Sequence, residues 1–355
     1  MDLQKGTILV TGANGGLGSA IVSQIVSDTE LGAYHGIFTV RDVETATVLR
    51  AILESAMPTS SSSNEHERIS LDLSRLHNVR KVAAAINTNV ETGIIPPISA
   101  IILNAGYEEG GNQTWTEDGL DTTFVVNYLG HWLLTLLLLR SINKERGRII
   151  WISSWARNPE DKHNIMNGSF EHNRYKTMIT DDLDSVAKGT WSPDVDGEPA
   201  WAAGYRRYGA SKLCGVSMIH ELQRRLDQDP ILRNISVLAV DPGGMATGIV
   251  RHSNWFVRVI FFRIFVGMSA GLLLPIWPNG TWRTPQKSAR DVLAAAFRSG
   301  PPPLSEQPKG LYLNGSELGE YNSEAKDPKK GRLIWEGSVR FADLKADETI
   351  LQCWM

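Results

Sequence analysis

Seven short apolar runs, at 7–11, 36–40, 68–71, 99–103, 148–153, 235–240 and 310–313, alternate with helical patterns near 16–27, 43–56, 74–89, 117–141, 206–228 and 288–298. Strands that are apolar along their whole length need cover on both faces, and the intervening helices supply it. The alternation therefore predicts an α/β fold built on a parallel sheet with helices on both faces. No repeat of about 20 to 50 residues occurs, which sets solenoids aside.

Composition removes several function classes. With 42% hydrophobic and 21% charged residues the chain has the apolar content of an ordinary globular protein. Thirty-six basic against 39 acidic side chains leave a net charge of -3, so no positive field exists to hold a nucleic acid backbone. Cys214 and Cys353 form neither a disulfide framework nor a zinc spacing. The first residues, Met1-Asp-Leu-Gln-Lys-Gly, show no export signal, and a cytoplasmic location is expected. One long apolar stretch runs from Trp255 to Trp282, but Arg258, Arg263, Pro275 and Pro278 interrupt it. A membrane span is not expected there; a substrate lid over 245–287 and a peripheral membrane contact through 255–277 both stay open.

After the first strand the chain reads Thr11-Gly-Ala-Asn-Gly-Gly-Leu-Gly18 and enters an amphipathic helix. Glycines at such a turn let backbone N–H groups approach a pyrophosphate at the helix N-terminus. Further on, Tyr208 is the one tyrosine of eight with a lysine four residues later, in Tyr208-Gly-Ala-Ser-Lys212. That spacing places both side chains on one helix face. A phenol titrates near 10 and exchanges protons poorly at neutrality, whereas a neighbouring ammonium lowers its pKa. The fifth strand ends on Ser153-Ser154, at the sheet edge where open α/β sheets bind ligands. Asn127 sits inside a helical pattern, where asparagine is disfavoured without a specific role.

The TGxxxGxG spacing resembles the cofactor loop of the short-chain dehydrogenase/reductase family, and the later segments resemble it in the same order over residues 7 to 250. The resemblance implies a Rossmann-type doubly wound parallel sheet of about seven strands. It gives Gly12, Asn14, Gly16, Leu17 and Gly18 to the cofactor loop, Asp72 and Leu73 to the adenine, and Asn104, Ala105 and Gly106 to the passage of the cofactor over the fourth strand. Pro242, Gly243 and Thr247 match the segment that holds the nicotinamide. An acid selecting NAD would fall at Val40; Arg41 beside it implies NADP(H). Two plainer readings stay beside these: Asp42 and Asp72 as helix N-caps, and Arg41 as a solvated strand-end charge. Carried over in the same way, Tyr208 is the proton donor and acceptor, Ser154 orients the substrate oxygen, and Lys212 and Asn127 serve a proton relay, Tyr208 and Lys212 also touching the cofactor. No metal is needed. Leu129-Gly-His-Trp-Leu-Leu-Thr135 and the long C-terminal part bring the chain nearest to the branch of retinol dehydrogenases and protochlorophyllide reductases.

Two enlargements depart from compact members: an insertion at 157–205 before Tyr208, and the 245–287 segment, with a C-terminal extension at 315–355 beyond them. In compact members the helices around this tyrosine form a four-helix subunit interface that such an insertion would cover, so a monomer is expected. Trp155, just before the insertion, and Trp191, Trp201, Trp255, Trp277 and Trp282 within the first two enlargements make six of the chain's 11 tryptophans. Gathered over a reactive edge they would suit a bulky apolar ketone, quinone or polycyclic carbonyl of polyketide, terpenoid or steroid type; core packing is the plainer reading. Two competing functions remain: a membrane-associated retinoid or sterol dehydrogenase, and a cofactor-binding protein of this fold without net redox chemistry, such as an isomerase or cyclase.

Overall fold

A computed structural model describes residues 5–56, 66–195, 197–245 and 277–355. Its sheet has the order β3-β2-β1-β4-β5-β6-β7-β8. The strands are β1 (Thr7–Thr11), β2 (His35–Val40), β3 (His66–Ser70), β4 (Ile98–Leu103), β5 (Arg148–Ile152), β6 (Ser236–Asp241), β7 (Leu311–Asn314) and β8 (Glu317–Leu318). The first seven pair in parallel, as the continuous apolar runs require. The count is eight rather than about seven because the chain turns at Gly315-Ser316 and lays β8 antiparallel against β7. A two-residue strand carries no periodicity for sequence reasoning to find.

Side-chain alternation divides the core into two layers. Ile8, Val10, Ile150, Ile152, Leu238 and Val240 pack on one face beneath α1 (Gly16–Ser27), α2 (Thr47–Ala56) and the late helix Pro285–Phe297. Leu9, Ile149, Trp151, Val237 and Ala239 face the other layer, with α3 (Leu76–Glu91), the passage 122–138 and the long helix Ala200–Gln228. Strand order reverses between β1 and β4, which opens a crevice at the C-terminal sheet edge.

The pattern read as one helix over 117–141 is interrupted. Asp121 caps it by accepting from the Phe124 N–H at 3.0 Å, a turn of α-helix follows at Thr122–Phe124, Val125–Leu129 is π-helical, and α-helix resumes at Gly130–Leu138. Asn127 lies in the π-helical turn, a local widening that often marks functional sites.

Residues 157–205 form short pieces, including helices at Lys162–Asn167 and Asp184–Ala187, and end inside the long helix, which starts at Ala200 rather than near 206. The C-terminal helix Pro328–Ala342 lies along the long helix. Trp335 meets Trp132 edge-on at 5.4 Å and donates to the Trp354 carbonyl at 2.6 Å. The Arg225 guanidinium lies 4.2 Å above Trp335, and Tyr128 and Ser338 share a 2.7 Å hydrogen bond. Among the described residues no helix is long and apolar enough to cross a membrane. The lid or membrane stretch at 246–276, with Thr247 and Trp255, lies outside them.

Candidate active site

The glycine turn is shaped by what surrounds it. Gly12 has φ +66°, and a Cβ there would stand 2.7 Å from the Ala105 Cα. At Gly18 a Cβ would strike the Gly12 carbonyl and the Asn104 amide, so the turn, α1 and the end of β4 touch through backbone. No side chain caps α1, whose first N–H groups therefore point outward at Gly16, Leu17 and Gly18. Uncapped N–H groups at a helix N-terminus are a cradle of the polarity that a pyrophosphate needs. Asn14 is turned away from it: its Oδ1 accepts from the Leu49 N–H at 2.9 Å, tying the loop to α2.

Thr11 joins the two strands that flank the crevice. Its Oγ1 accepts from the N–H groups of Asn104 and Ala105 at 2.9 and 3.0 Å, which leaves its proton for His131 Nε2 at 2.9 Å. Burial pushes His131 down to about 3, with the Lys212 charge adding to the effect, so the ring is neutral. It also hydrogen-bonds the Asn127 backbone. Sequence reading passed over this Thr11–His131 link, although His131 stands inside the segment used to place the branch.

At the cofactor's far end, Arg41 is exposed at the tip of β2 and Val40 is buried. Neither Asp42 nor Asp72 caps a helix. Asp42 Oδ1 accepts from the Glu44 N–H, whereas α2 starts at Thr47. Asp72 Oδ1 accepts from the Ser74 N–H and hydroxyl at 3.0 and 2.6 Å, and α3 starts at Leu76 behind Arg75. The Leu73 side chain is in the core, with its carbonyl against Gly130. Ala105 is half-buried and Gly106 exposed. After β6, the Asp241 carboxylate accepts from the Gly243 N–H at 2.9 Å and from the Tyr312 hydroxyl at 3.1 Å, and Ser288 donates to the Pro242 carbonyl at 2.6 Å.

The four predicted catalytic residues come together at this edge. Ser154 opens a short 3-10 turn, Trp155–Arg157, accepting from the Ala156 N–H at 3.2 Å, and stands in hydrogen-bonding reach of the Tyr208 phenol. Lys212 is buried, donates to the Ile152 carbonyl at 3.0 Å and lies 5.5 Å from the Tyr208 ring centroid. The Asn127 amide donates to Ser211 Oγ at 3.0 Å, and Ser211 donates to the Tyr208 carbonyl at 2.7 Å. Burial lowers Lys212 to about 8, Asp241 opposing it, so it is largely cationic at neutrality. The expectation of a depressed phenol is not met: burial pushes Tyr208 above its ordinary range, Glu108 adding to the rise and Ser154 opposing it. A phenol held protonated is suited to giving a proton.

Aromatic cover is narrower than six tryptophans. Trp155 stacks on His163 at 4.5 Å and meets Trp282 edge-on at 6.3 Å, while Tyr205 lies 6.4 Å from Tyr208. Trp201 packs on Tyr205 but remains 46% exposed. Trp191 packs instead on Tyr175 and donates to the Thr177 carbonyl, and Trp277 is 60% exposed.

The short-chain dehydrogenase model matches residues 6–166. The chain is 42% identical to the short-chain dehydrogenase iccH of Talaromyces variabilis, over 99% of both chains. It is a short-chain dehydrogenase/reductase. The protochlorophyllide reductase of Daucus carota is 26% identical over 96% of this chain and 79% of its own. The NADPH-bound carbonyl reductase from chicken fatty liver has the same fold, with a TM-score of 0.55 at 16% identity, covering 90% of this chain and all of the other. As a member of this family the chain is an oxidoreductase that works with a nicotinamide cofactor, and the glycine cradle fits one.

Proposed function

We propose that the protein is an NADP(H)-dependent reductase and dehydrogenase that interconverts a carbonyl and a hydroxyl on a bulky, largely apolar substrate. The convergence of Ser154, Tyr208 and Lys212 on the sheet edge beside the glycine cradle carries this reading. Gly12, Gly16, Leu17 and Gly18 would hold the pyrophosphate through backbone, Asp72 the adenosine end, and Asn104 to Gly106, Pro242, Gly243 and Thr247 the remainder. The bound cofactor supplies the hydride. Tyr208 gives its proton to the carbonyl oxygen that Ser154 orients, and Lys212 replaces that proton from its ammonium. Asn127 spends its side chain on Tyr107 and Ser211, which fixes the loop after β4 against the catalytic helix. Its contribution to the relay is thus one of position, holding this loop and the catalytic helix together. Trp155, Trp282 and Tyr205 favour a substrate with broad apolar faces. NADPH consumption with a panel of bulky ketones and quinones tests the reading; NADPH binding with no turnover of any member favours non-redox chemistry on the same fold.

Arg41 carries the cofactor preference in this reading, since an exposed guanidinium at the β2 tip can fork onto a 2'-phosphate. Arg41→Ala is expected to lower the preference for NADPH over NADH by about tenfold or more, as the loss of a charge-assisted bidentate contact would. An unchanged ratio of kcat/KM values would assign the charge to solvent.

The chain is further read as a monomer. The faces of 122–138 and of the long helix that compact members would use for pairing are covered by the chain's own C-terminal helix and tail: Trp335 meets Trp132 and lies under Arg225, and Thr349 donates to the Leu136 carbonyl at 3.0 Å. The 157–205 insertion buttresses that cover through Asp184 and Arg340. Sedimentation at assay concentration should give the mass of one chain, and a dimer mass would overturn this.

A further inference from the structure

The loop after β4 carries a carboxyl that the chemistry above does not use. Tyr107 is clamped by the Asn127 side chain, its N–H donating at 2.7 Å and its carbonyl accepting at 2.9 Å. Two residues on, Glu109 is buried and ion-paired with Arg207 of the catalytic helix, accepting from its Nε at 2.6 Å. The loop can press this close because a Cβ at Gly204 would stand only 2.9 Å from Glu109 Cγ and 3.0 Å from its carbonyl oxygen. Glu108 is therefore held between two fixed neighbours, against the helix that presents Tyr205 and Tyr208. Both phenols feel its charge. It is half-buried, and among the described residues no hydrogen bond or ion pair meets its carboxyl.

A half-buried carboxyl beside two phenol rings loses hydration and regains it only from a partner that brings a donor. Burial pushes Glu108 up to about 7, so near neutrality a donor from the ligand decides in favour of the carboxylate. The Lys212 ammonium lies 5.5 Å from the ring of Tyr208, the phenol beside Glu108, which weighs against a cationic donor and for a hydroxyl. We propose that Glu108 is a specificity residue that accepts a hydrogen bond from a substrate hydroxyl, so that the preferred substrates are hydroxylated carbonyl compounds rather than plain ketones. This deepens the reductase reading and rests on it for the location of the substrate.

The test is binding of 1-tetralone and of its monohydroxy derivatives, with the hydroxyl at successive ring positions, in the presence of NADPH, followed by quenching of tryptophan fluorescence. Wild type should bind at least one hydroxylated derivative about tenfold or more tightly than 1-tetralone, the difference of one hydrogen bond to a charged acceptor. The quantity read is that ratio within each variant, which a general change in the pocket does not mimic. In Glu108→Leu the ratio should fall to about one, while Glu108→Gln, which keeps an acceptor oxygen, should retain part of it. A wild-type ratio near one, or an advantage that survives in both variants, overturns the proposal. A Glu108-dependent ratio without NADPH oxidation by any member would sink the reductase reading and leave this one standing.

Discussion

Tyr208→Phe is expected to remove carbonyl reduction, lowering kcat by about 10²- to 10⁴-fold, the contribution of a positioned proton donor. The change is confined to one oxygen. Tyr208 is buried, its ring lies 6.4 Å from Tyr205, and Phe preserves that packing, so the variant should fold and bind cofactor much as wild type does. The phenol is lost as the donor that burial keeps protonated, and Ser154 loses its neighbour. Lys212 adds a second signature. It is cationic below about 8 and loses its charge above, so in wild type the reductive rate should decline as pH rises through that value. The variant, with no proton to pass on, should lack that limb. NADPH oxidation at saturating ketone, measured across pH for both proteins, gives both results. Turnover in Tyr208→Phe equal to wild type would remove the proposed mechanism.

The parts of this site that are local in sequence were legible from it. A glycine turn after an apolar run, a Tyr and a Lys four apart on one helix, and two serines at a strand end each carry their geometry within a few residues, and the structure brings all of them to one edge. The central parallel strands were legible because β1, β2, β4, β5 and β6 are buried along almost their whole length. What was not legible depends on contacts between distant segments. The π-helical turn that holds Asn127 follows from packing rather than propensity, and nothing in the residues around Asn14 says that its amide turns to Leu49. The plainer reading of Asp72, an N-cap for the helix that follows it, fails because its oxygen closes a local turn on Ser74. The tryptophans were grouped by position in the chain, and the fold sends Trp191 to Tyr175 while leaving Trp155 and Trp282 together. The C-terminal cover, in which Trp335 finds Trp132, likewise has no local signature.

Arg207→Leu should cost about 3–5 kcal/mol, the usual penalty for leaving a buried charge without its partner. The guanidinium donates to Glu109 and to the Ser192 carbonyl, lies 3.1 Å from Asp194, and stands 3.7 Å from Asp121. Arg207, Glu109 and Asp121 are 4%, 2% and 1% exposed, so water cannot take over when the arginine goes. With unfolding entropies of about 2.1 cal/mol/K per residue, a loss of that size should lower Tm by about 4–7 °C for a chain of this length. The deficit should also depend on pH. Burial already holds the Glu109 carboxyl above its ordinary range, and Arg207 is the main influence pulling it back. Without Arg207 its folded pKa rises further, so the folded variant keeps a proton that the unfolded chain releases near 4.3. Folded variant then binds more protons than unfolded chain, and its stability falls as pH rises. Relative to wild type the loss should be least at acid pH, close to the unfolded carboxyl value, and grow as pH rises above it. Adding Glu109→Leu should return much of it, because an apolar pair of similar volume replaces a broken ionic one. Thermal unfolding of wild type and of the two variants across this pH range reads the whole argument. A deficit that shrank toward alkaline pH would show that the arginine serves packing, and that the loop after β4 is not anchored to the catalytic helix by charge.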